Sequence, residues 1–333
     1  MSRKCDAVFE GGGVRGIGFA GAISELESRG YTFQSVAGTS AGAIAAALIA
    51  VGYSGLEIER ELHEVNFKDF RQEAGWSRAA GFGKLISLSR RYGVYKADAF
   101  EEWLDGLLQK KGKTIFGDIR TGENDEKTAY RLSVVASNLT DNRILILPRD
   151  LKQFGLIPDS FPIARAVRMS MSIPLYYEPW RLIDSQNQVH MIVDGGILSN
   201  YPIWLLDNGS SEPRWPTFGF KFIPGPEAKQ RSLSRQRVAH KRQTESFFDY
   251  MKSLVTTMMK AADNFHISES KGDCARSILI PTEVMSAHGV KSIESTDFDI
   301  TSEESAALCE NGRRAAREFL KTWDFSEWKL LYR

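Results

Sequence analysis

Two short strings hold the residues best suited to chemistry: Gly38-Thr39-Ser40-Ala41-Gly42 and Asp194-Gly195-Gly196. The first has the form G-x-S-x-G. A serine at its centre, on a sharp turn between a strand and a helix, stands above a helix N-terminus. There, free N–H groups and the helix dipole favour developing negative charge, the setting for attack on an acyl carbonyl. The plainer alternative is a small-residue turn that closes a strand–helix unit. The flanks favour the first reading. Phe33–Ala37 reads as a short buried strand and Ala41–Val51 as an alanine-rich helix, and Gly38 and Gly42 let the backbone turn tightly without Cβ clashes.

Asp194 ends an apolar strand (Met191-Ile192-Val193) and precedes two glycines, Gly195 and Gly196. That arrangement presents a carboxylate at a sheet edge, although the same string also makes an ordinary turn. The five histidines are His63, His190, His240, His266 and His288. None sits in a glycine-rich turn that would present a catalytic base, so each reads as a surface or packing residue, and Asp194 is the alternative base for Ser40.

A third string, Gly11-Gly12-Gly13-Val14-Arg15-Gly16, satisfies G-x-G-x-x-G between a predicted strand and helix. A dinucleotide site would need an acid at the end of the second strand to hold the ribose, and that strand ends Ala37-Gly38-Thr39-Ser40 with none. The positive reading is an oxyanion hole: successive glycines let N–H groups, from about Gly12 and Gly13, point at a substrate oxygen. Arg15 either fixes this loop or meets an anionic head group.

The elements that must position these residues follow from patterning. Ala7–Glu10 is a first strand, and a helix runs to about Arg29 with Gly30 at its C-cap. A mainly helical stretch spans about Leu56 to Lys111, with Asp98 and Glu101 spaced as a capping box. Strands are predicted at Arg131–Ser137, Arg143–Leu147, His190–Val193, Thr217–Ile223 and Ala275–Ile280, and helices at Ile163–Ser172, Gln243–Phe265 and Ser302–Trp323. Alternating strands and helices predict an α/β fold, a three-layer α/β/α sandwich around a central, mostly parallel sheet.

Composition narrows the classes. With 333 residues, 42% apolar and 26% charged, the chain can bury a sizeable core. A formal charge of +1 gives no global field for nucleic acid. Cys5, Cys274 and Cys309 lack metal-ligand spacing and suit a reducing compartment. The N-terminus does not read as a signal peptide, and the longest apolar run, Ala41–Val51, falls short of the roughly 20 residues that span a bilayer. A cytoplasmic protein is expected, with any membrane contact peripheral. Residues 228–244 carry Lys229, Arg231, Arg235, Arg237, Lys241 and Arg242 without an acid. They read as a solvated linker or, alternatively, as a contact for anionic lipid. The helix after them sets Phe247, Tyr250 or Met251, Leu254, Met258 and Phe265 near one face, ordinarily core packing and alternatively an acyl channel. Gly75–Gly83, with Trp76 and Phe82, is a candidate lid.

Taken together, the strings resemble the patatin-like phospholipase family. Gly11–Gly16 is similar to the family's glycine loop G-G-G-x-[RK]-G, and Gly38–Gly42 to its serine elbow. Arg168-Met169-Ser170-Met171-Ser172-Ile173-Pro174 resembles its helix-to-proline block, with Met169 in place of the usual small residue. Asp194-Gly195-Gly196 with Asn200 and Pro202 resembles D-G-G-x-x-x-N-x-P. The blocks keep the family order over about residues 5–225, and Thr296-Asp297-Phe298-Asp299-Ile300 resembles the tail of bacterial members. The resemblance implies one patatin-like catalytic domain over 1–333, with about 240–333 packed on the motif-bearing core. It implies a Ser-Asp dyad, with Ser40 as nucleophile and Asp194 as general base, and an oxyanion hole built from Gly11, Gly12, Gly13, Arg15 and Gly16. Gly38, Gly42, Gly195 and Gly196 support these motifs. The implied substrate is a phospholipid or lysophospholipid acyl ester, cleaved without metal or cofactor, with room for a protein activator or oligomerisation. An acyltransferase using the same dyad and a non-catalytic scaffold of the same fold are the alternatives.

Overall fold

The computed structural model describes residues 3–70, 72–73, 91–123, 125–207, 212–225, 250, 253–254, 257–258, 272–286 and 289–333. Strand β1 (Arg3–Phe9) leads through a 3-10 turn at Gly13–Gly16 into helix α1 (Ile17–Ser28). Strand β2 (Tyr31–Thr39) leads through Ser40 into α2 (Ala41–Val51), and α3 (Gly55–His63) follows. Ser54 starts α3 with a reciprocal cap: its hydroxyl accepts the Glu57 N–H, and the Glu57 carboxylate accepts the Ser54 N–H. Next come β3 (Gln72–Glu73), β4 (Gly93–Lys96), α4 (Asp98–Lys110), β5 (Leu132–Asn138) and β6 (Arg143–Leu147). Then follow α5 (Ile163–Ser170), β7 (Leu175–Tyr177), β8 (Trp180–Ile183), β9 (Val189–Asp194), β10 (Thr217–Ile223) and β11 (Ser277–Pro281). The β12 (Glu283–Ser286) and β13 (Gly289–Ser292) hairpin, α6 (Ser302–Thr322) and α7 (Phe325–Tyr332) close the chain.

An eight-stranded sheet runs in the order β11-β10-β1-β2-β5-β9-β8, with β6 also on β5. The strands from β11 to β5 are mutually parallel, and β6, β9 and β8 join antiparallel. The central sheet is therefore mixed, mostly parallel and flanked by helices. Alternation along the strands sorts its two faces. Ala7 and Phe9 of β1, Val36 of β2, Leu132 and Val134 of β5 and Phe218, Phe220 and Phe222 of β10 share one core with residues of α1, α2 and α6. Val8, Ala37 and Val135 meet Tyr201, Ile203, Leu205 and Leu206 in a second core. The parallel steps from β1 to β2 to β5 carry α1 and α2 to the first face, as right-handed crossovers in one direction require, while the segment Tyr201–Leu206 after β9 covers the other face.

Helices α1 and α6 cross closely because glycines face backbone. A Cβ on Gly21 would lie 1.9 Å from the Cys309 carbonyl oxygen, and one on Gly312 would lie 1.9 Å from that of Gly18.

Some expectations need correction. Among the described residues from Leu56 to Lys111 helix predominates, but two short strands not expected there, β3 and β4, interrupt it and pair with each other, β4 also pairing with β7. Asp98 and Glu101 form no capping box. Ala97 is the N-cap, and the two acids sit in the first turn, where their charge complements the positive end of the dipole without closing the reciprocal bonds. Tyr250, Leu254 and Met258, expected to pack in the core, occupy helical positions and are exposed. The rest of the predicted helix is largely outside the described residues, as are the basic stretch 228–244 and the candidate lid Gly75–Gly83. Among the described residues, no helix is long and apolar enough to cross a membrane.

Candidate active site

Strand registers bring the two strings together. β6 occupies one edge of β5 from Val134 to Asn138. β2 and β9 must therefore share the other edge, β2 along Leu132–Val135 and β9 along Ala136–Asn138. One runs parallel to β5 and the other antiparallel, so their C-terminal ends meet. Thr39 lies opposite Val135, and Asp194 lies opposite Ala136. The next residue after Thr39 is Ser40, which places it at the junction beside Asp194.

Ser40 makes the turn at φ 53° and ψ −124°, a strained conformation for a residue with a side chain. The residues two before and two after it must be glycine. A Cβ on Gly38 would lie 2.3 Å from the Gly42 carbonyl, and one on Gly42 would lie 2.4 Å from the Phe9 carbonyl oxygen. The Ser40 N–H donates to the Ser170 hydroxyl (2.8 Å), which in turn donates to the Val135 carbonyl (2.5 Å). Thr39 donates its hydroxyl to the Ser199 carbonyl (3.0 Å) and so ties the elbow to the loop after Asp194.

Asp194 is completely buried. Its N–H donates to the Ser172 carbonyl (2.9 Å), and its Oδ1 accepts the Gly196 N–H (2.7 Å). Gly195 passes so close to β5 that a Cβ would lie 2.2 Å from the Val135 oxygen. The other carboxylate oxygen, Oδ2, is buried with no hydrogen-bond partner among the described residues. Burial pushes the carboxyl pKa up to about 6, against the opposing pull of the nearby Ser40 hydroxyl and the Gly196 N–H. Ser40 thus lies within electrostatic reach of Asp194 without closing a hydrogen bond to Oδ2.

The glycine loop lies against the same point: a Cβ on Gly11 would be 3.4 Å from the Ser40 Cβ, and one on Gly16 would be 3.2 Å from the Ala41 Cβ. The Gly11 N–H is taken by the Asn200 carbonyl (2.9 Å), and that of Val14 by the Ser295 carbonyl (3.1 Å). The Gly12 and Gly13 amides between them have no acceptor among the described residues. Gly13 has φ +56°, and a Cβ there would lie 1.8 Å from the Ser295 oxygen. Arg15 turns back on this loop: its Nε donates to the Gly12 carbonyl (3.0 Å), and its guanidinium sits 5.1 Å over the Phe222 ring. Burial lowers its pKa, while Glu10, Glu294 and Asp297 pull it back up. Beneath the loop, the buried Glu10 accepts from the Lys221 Nζ (2.7 Å), the Phe222 N–H (2.6 Å) and the Asn200 Nδ2 (3.4 Å). The loop is therefore anchored from β10, from the segment after Asp194 and from the stretch before α6.

Residues 7–207 match the patatin-like phospholipase family. The chain belongs to that family. It is 38% identical over 320 residues to the uncharacterized protein YqhO of Bacillus subtilis (strain 168), covering 96% of this chain and 99% of that one. It is 27% identical over 198 residues to the probable lipid hydrolase 463L of Invertebrate iridescent virus 6, covering 59% of this chain and 61% of that one. In fold it is similar to the crystal structure of VipD from Legionella pneumophila, with a TM-score of 0.53 and 19% identity, covering 96% of this chain and 67% of that one.

All the residues singled out from the three strings converge on this junction. Arg15 takes the loop-fixing option rather than standing free toward a head group. His190 packs away from the junction, with Nδ1 3.2 Å from Asp141, Nε2 3.3 Å from Asp184 and its ring against Phe154. Among the described residues, no group of three His, Cys, Asp or Glu side chains is set to hold a metal ion. Sequence reasoning gave no role to Glu10, Ser170, Asn200 or Ser295. Ser170 and Asn200 stand inside the quoted motif blocks, and Glu10 directly precedes the glycines; Ser295, 255 residues beyond Ser40, carried no local signal.

Proposed function

We propose that this protein is a lipid acyl hydrolase that cleaves fatty acyl esters of phospholipids or lysophospholipids through Ser40 and Asp194. The observation that carries the reading is the enclosed Asp194 carboxyl facing Ser40 where two strand ends meet, in a member of this family. Ser40 Oγ attacks the ester carbonyl as its proton passes to Asp194. The Gly12 and Gly13 amides, which lack acceptors among the described residues, hold the tetrahedral oxyanion. Collapse expels the alcohol, which takes the proton from Asp194 and leaves an acyl group on Ser40. Water then attacks the acyl-enzyme and gives a proton to Asp194, the fatty acid leaves, and the proton returns to Ser40 Oγ. Losing one amide donor of this kind costs about 3 kcal/mol of transition-state stabilisation.

The test is fatty acid release from mixed phospholipid vesicles by wild type beside Ser40→Ala and Asp194→Asn. Release by wild type alone supports the reading, and the lysolipids formed give positional preference. Release by Asp194→Asn at the wild-type rate would remove Asp194 from the mechanism. Acyl transfer to added glycerol in place of hydrolysis would move the assignment to an acyltransferase.

A further inference from the structure

The junction that joins Ser40 to Asp194 also breaks the sheet. Where β2 stops and β9 begins along β5, the regular ladder is interrupted at Val135 and Ala136. A buried carbonyl at such a break needs a donor from outside the sheet. The donor is Ser170, the last residue of α5 and fully buried on a helix whose other enclosed residues are mostly apolar. Its one hydroxyl proton goes to the Val135 carbonyl (2.5 Å), which leaves its lone pairs facing the Ser40 N–H (2.8 Å). The direction of both bonds is thereby fixed, since an amide can only donate and a carbonyl can only accept. Two residues on, the Ser172 carbonyl takes the Asp194 N–H (2.9 Å). One helix end therefore holds the main chain of both residues.

We propose that Ser170 is a positioning residue for the hydrolysis, resting on the dyad reading above. By pinning the Ser40 amide to the β5 break, its hydroxyl keeps Ser40 in its strained turn and its Oγ aimed between Asp194 and the glycine loop. Alanine at this position leaves both the Ser40 N–H and the Val135 carbonyl without their partner, and the elbow is free to relax. Threonine keeps the hydroxyl.

The experiment compares wild type, Ser170→Ala, Ser170→Thr and Ser40→Ala, each titrated with a fluorophosphonate to count competent sites. Vesicle hydrolysis is then expressed per titrated site, and hydrogen exchange is read at the Ser40 amide. In Ser170→Ala, kcat falls about 100-fold at a KM within a few-fold of wild type, as expected for a misaimed reacting group. The Ser40 amide exchanges faster, while the acidic limb of the pH profile set by Asp194 stays in place. Ser170→Thr recovers most of kcat. A merely structural role would lower the number of titrated sites and leave the turnover of each unchanged, and that result overturns the proposal. Should the alanine variant aggregate, Ser170→Cys, of similar bulk and with a weaker donor and acceptor, carries the same comparison. Wild type that shows no labelling dependent on Ser40 refutes the hydrolase reading and this proposal with it. Wild type that labels beside an unaffected Ser170→Ala refutes only the role of Ser170.

Discussion

A carboxyl group enclosed by protein, with one N–H on Oδ1 and the Ser40 hydroxyl nearby, keeps its proton up to about pH 6. Two consequences follow from Asp194. If the ionised form is the working base, kcat/KM rises about tenfold per pH unit and levels off above about pH 6; a profile flat from about pH 5 to about pH 8 would count against Asp194 as the base. The second consequence concerns stability. The folded-state pKa of about 6 exceeds the ordinary aspartate value of 3.8, so the folded state binds this proton more tightly than the unfolded chain. The stabilisation is complete below pH 3.8 and is lost as pH rises through about 6. At neutral pH the ionised carboxylate therefore destabilises the fold by about 3 kcal/mol relative to a neutral isostere. Asp194→Asn is expected to be inactive yet more stable than wild type in urea at pH 7, with the gap closing toward pH 4. A variant less stable than wild type at both pH values would mean that the carboxylate is better solvated than its burial implies.

At the level of elements, the junction depends on backbones that touch. Gly42→Ala forces a Cβ to within 2.4 Å of the Phe9 oxygen and 2.6 Å of the Glu10 oxygen. Main-chain groups of β1 must shift to admit it, so a loss of about 3 kcal/mol is expected in urea unfolding. Gly112 is the control: with φ +65° and open space around it, its alanine variant costs about 1 kcal/mol from backbone strain alone. Equal losses in the two variants would show that contact at Gly42 is not the cause. The contrast also marks how much of this protein was legible in its sequence. Gly38, Ser40 and Gly42 could be read because close approach at a strand–helix turn leaves a local pattern of small residues. Strands β3, β4 and β7 could not, because they are short and their pairing joins distant parts of the chain. Ser170 was visible only as a letter in a motif, since its hydrogen bonds run to residues 130 and 35 positions away. Whether Arg15 faces loop or solvent was likewise undecidable until the Gly12 carbonyl and the Phe222 ring were in place around it.

Across the whole molecule, the late part of the chain holds the early part. Arg276, almost fully buried beside β11, bridges Asp273 and Asp207 (2.6 Å each) and so fixes the end of the segment that covers the second face of the sheet. Its guanidinium also lies 5.5 Å over the Trp328 ring of α7. Arg276→Ala removes the buried guanidinium that both Asp273 and Asp207 face, and a loss of about 3–5 kcal/mol is expected in thermal or urea unfolding. A change below about 1 kcal/mol would mean that solvent reaches the pair. The Ser295 carbonyl on the Val14 amide, pressed against Gly13, has a consequence for timing. Ribosomes deliver the chain from its N-terminus, so Ser40, the glycine loop and Asp194 all emerge long before Ser295. A nascent chain of 225 residues already carries every group proposed for the reaction, yet nothing stands where that carbonyl will later brace the loop. On the proposed roles, the loop that receives the oxyanion gains this brace only after residue 295 has been made, so the reacting groups are all present before the loop that serves them is held.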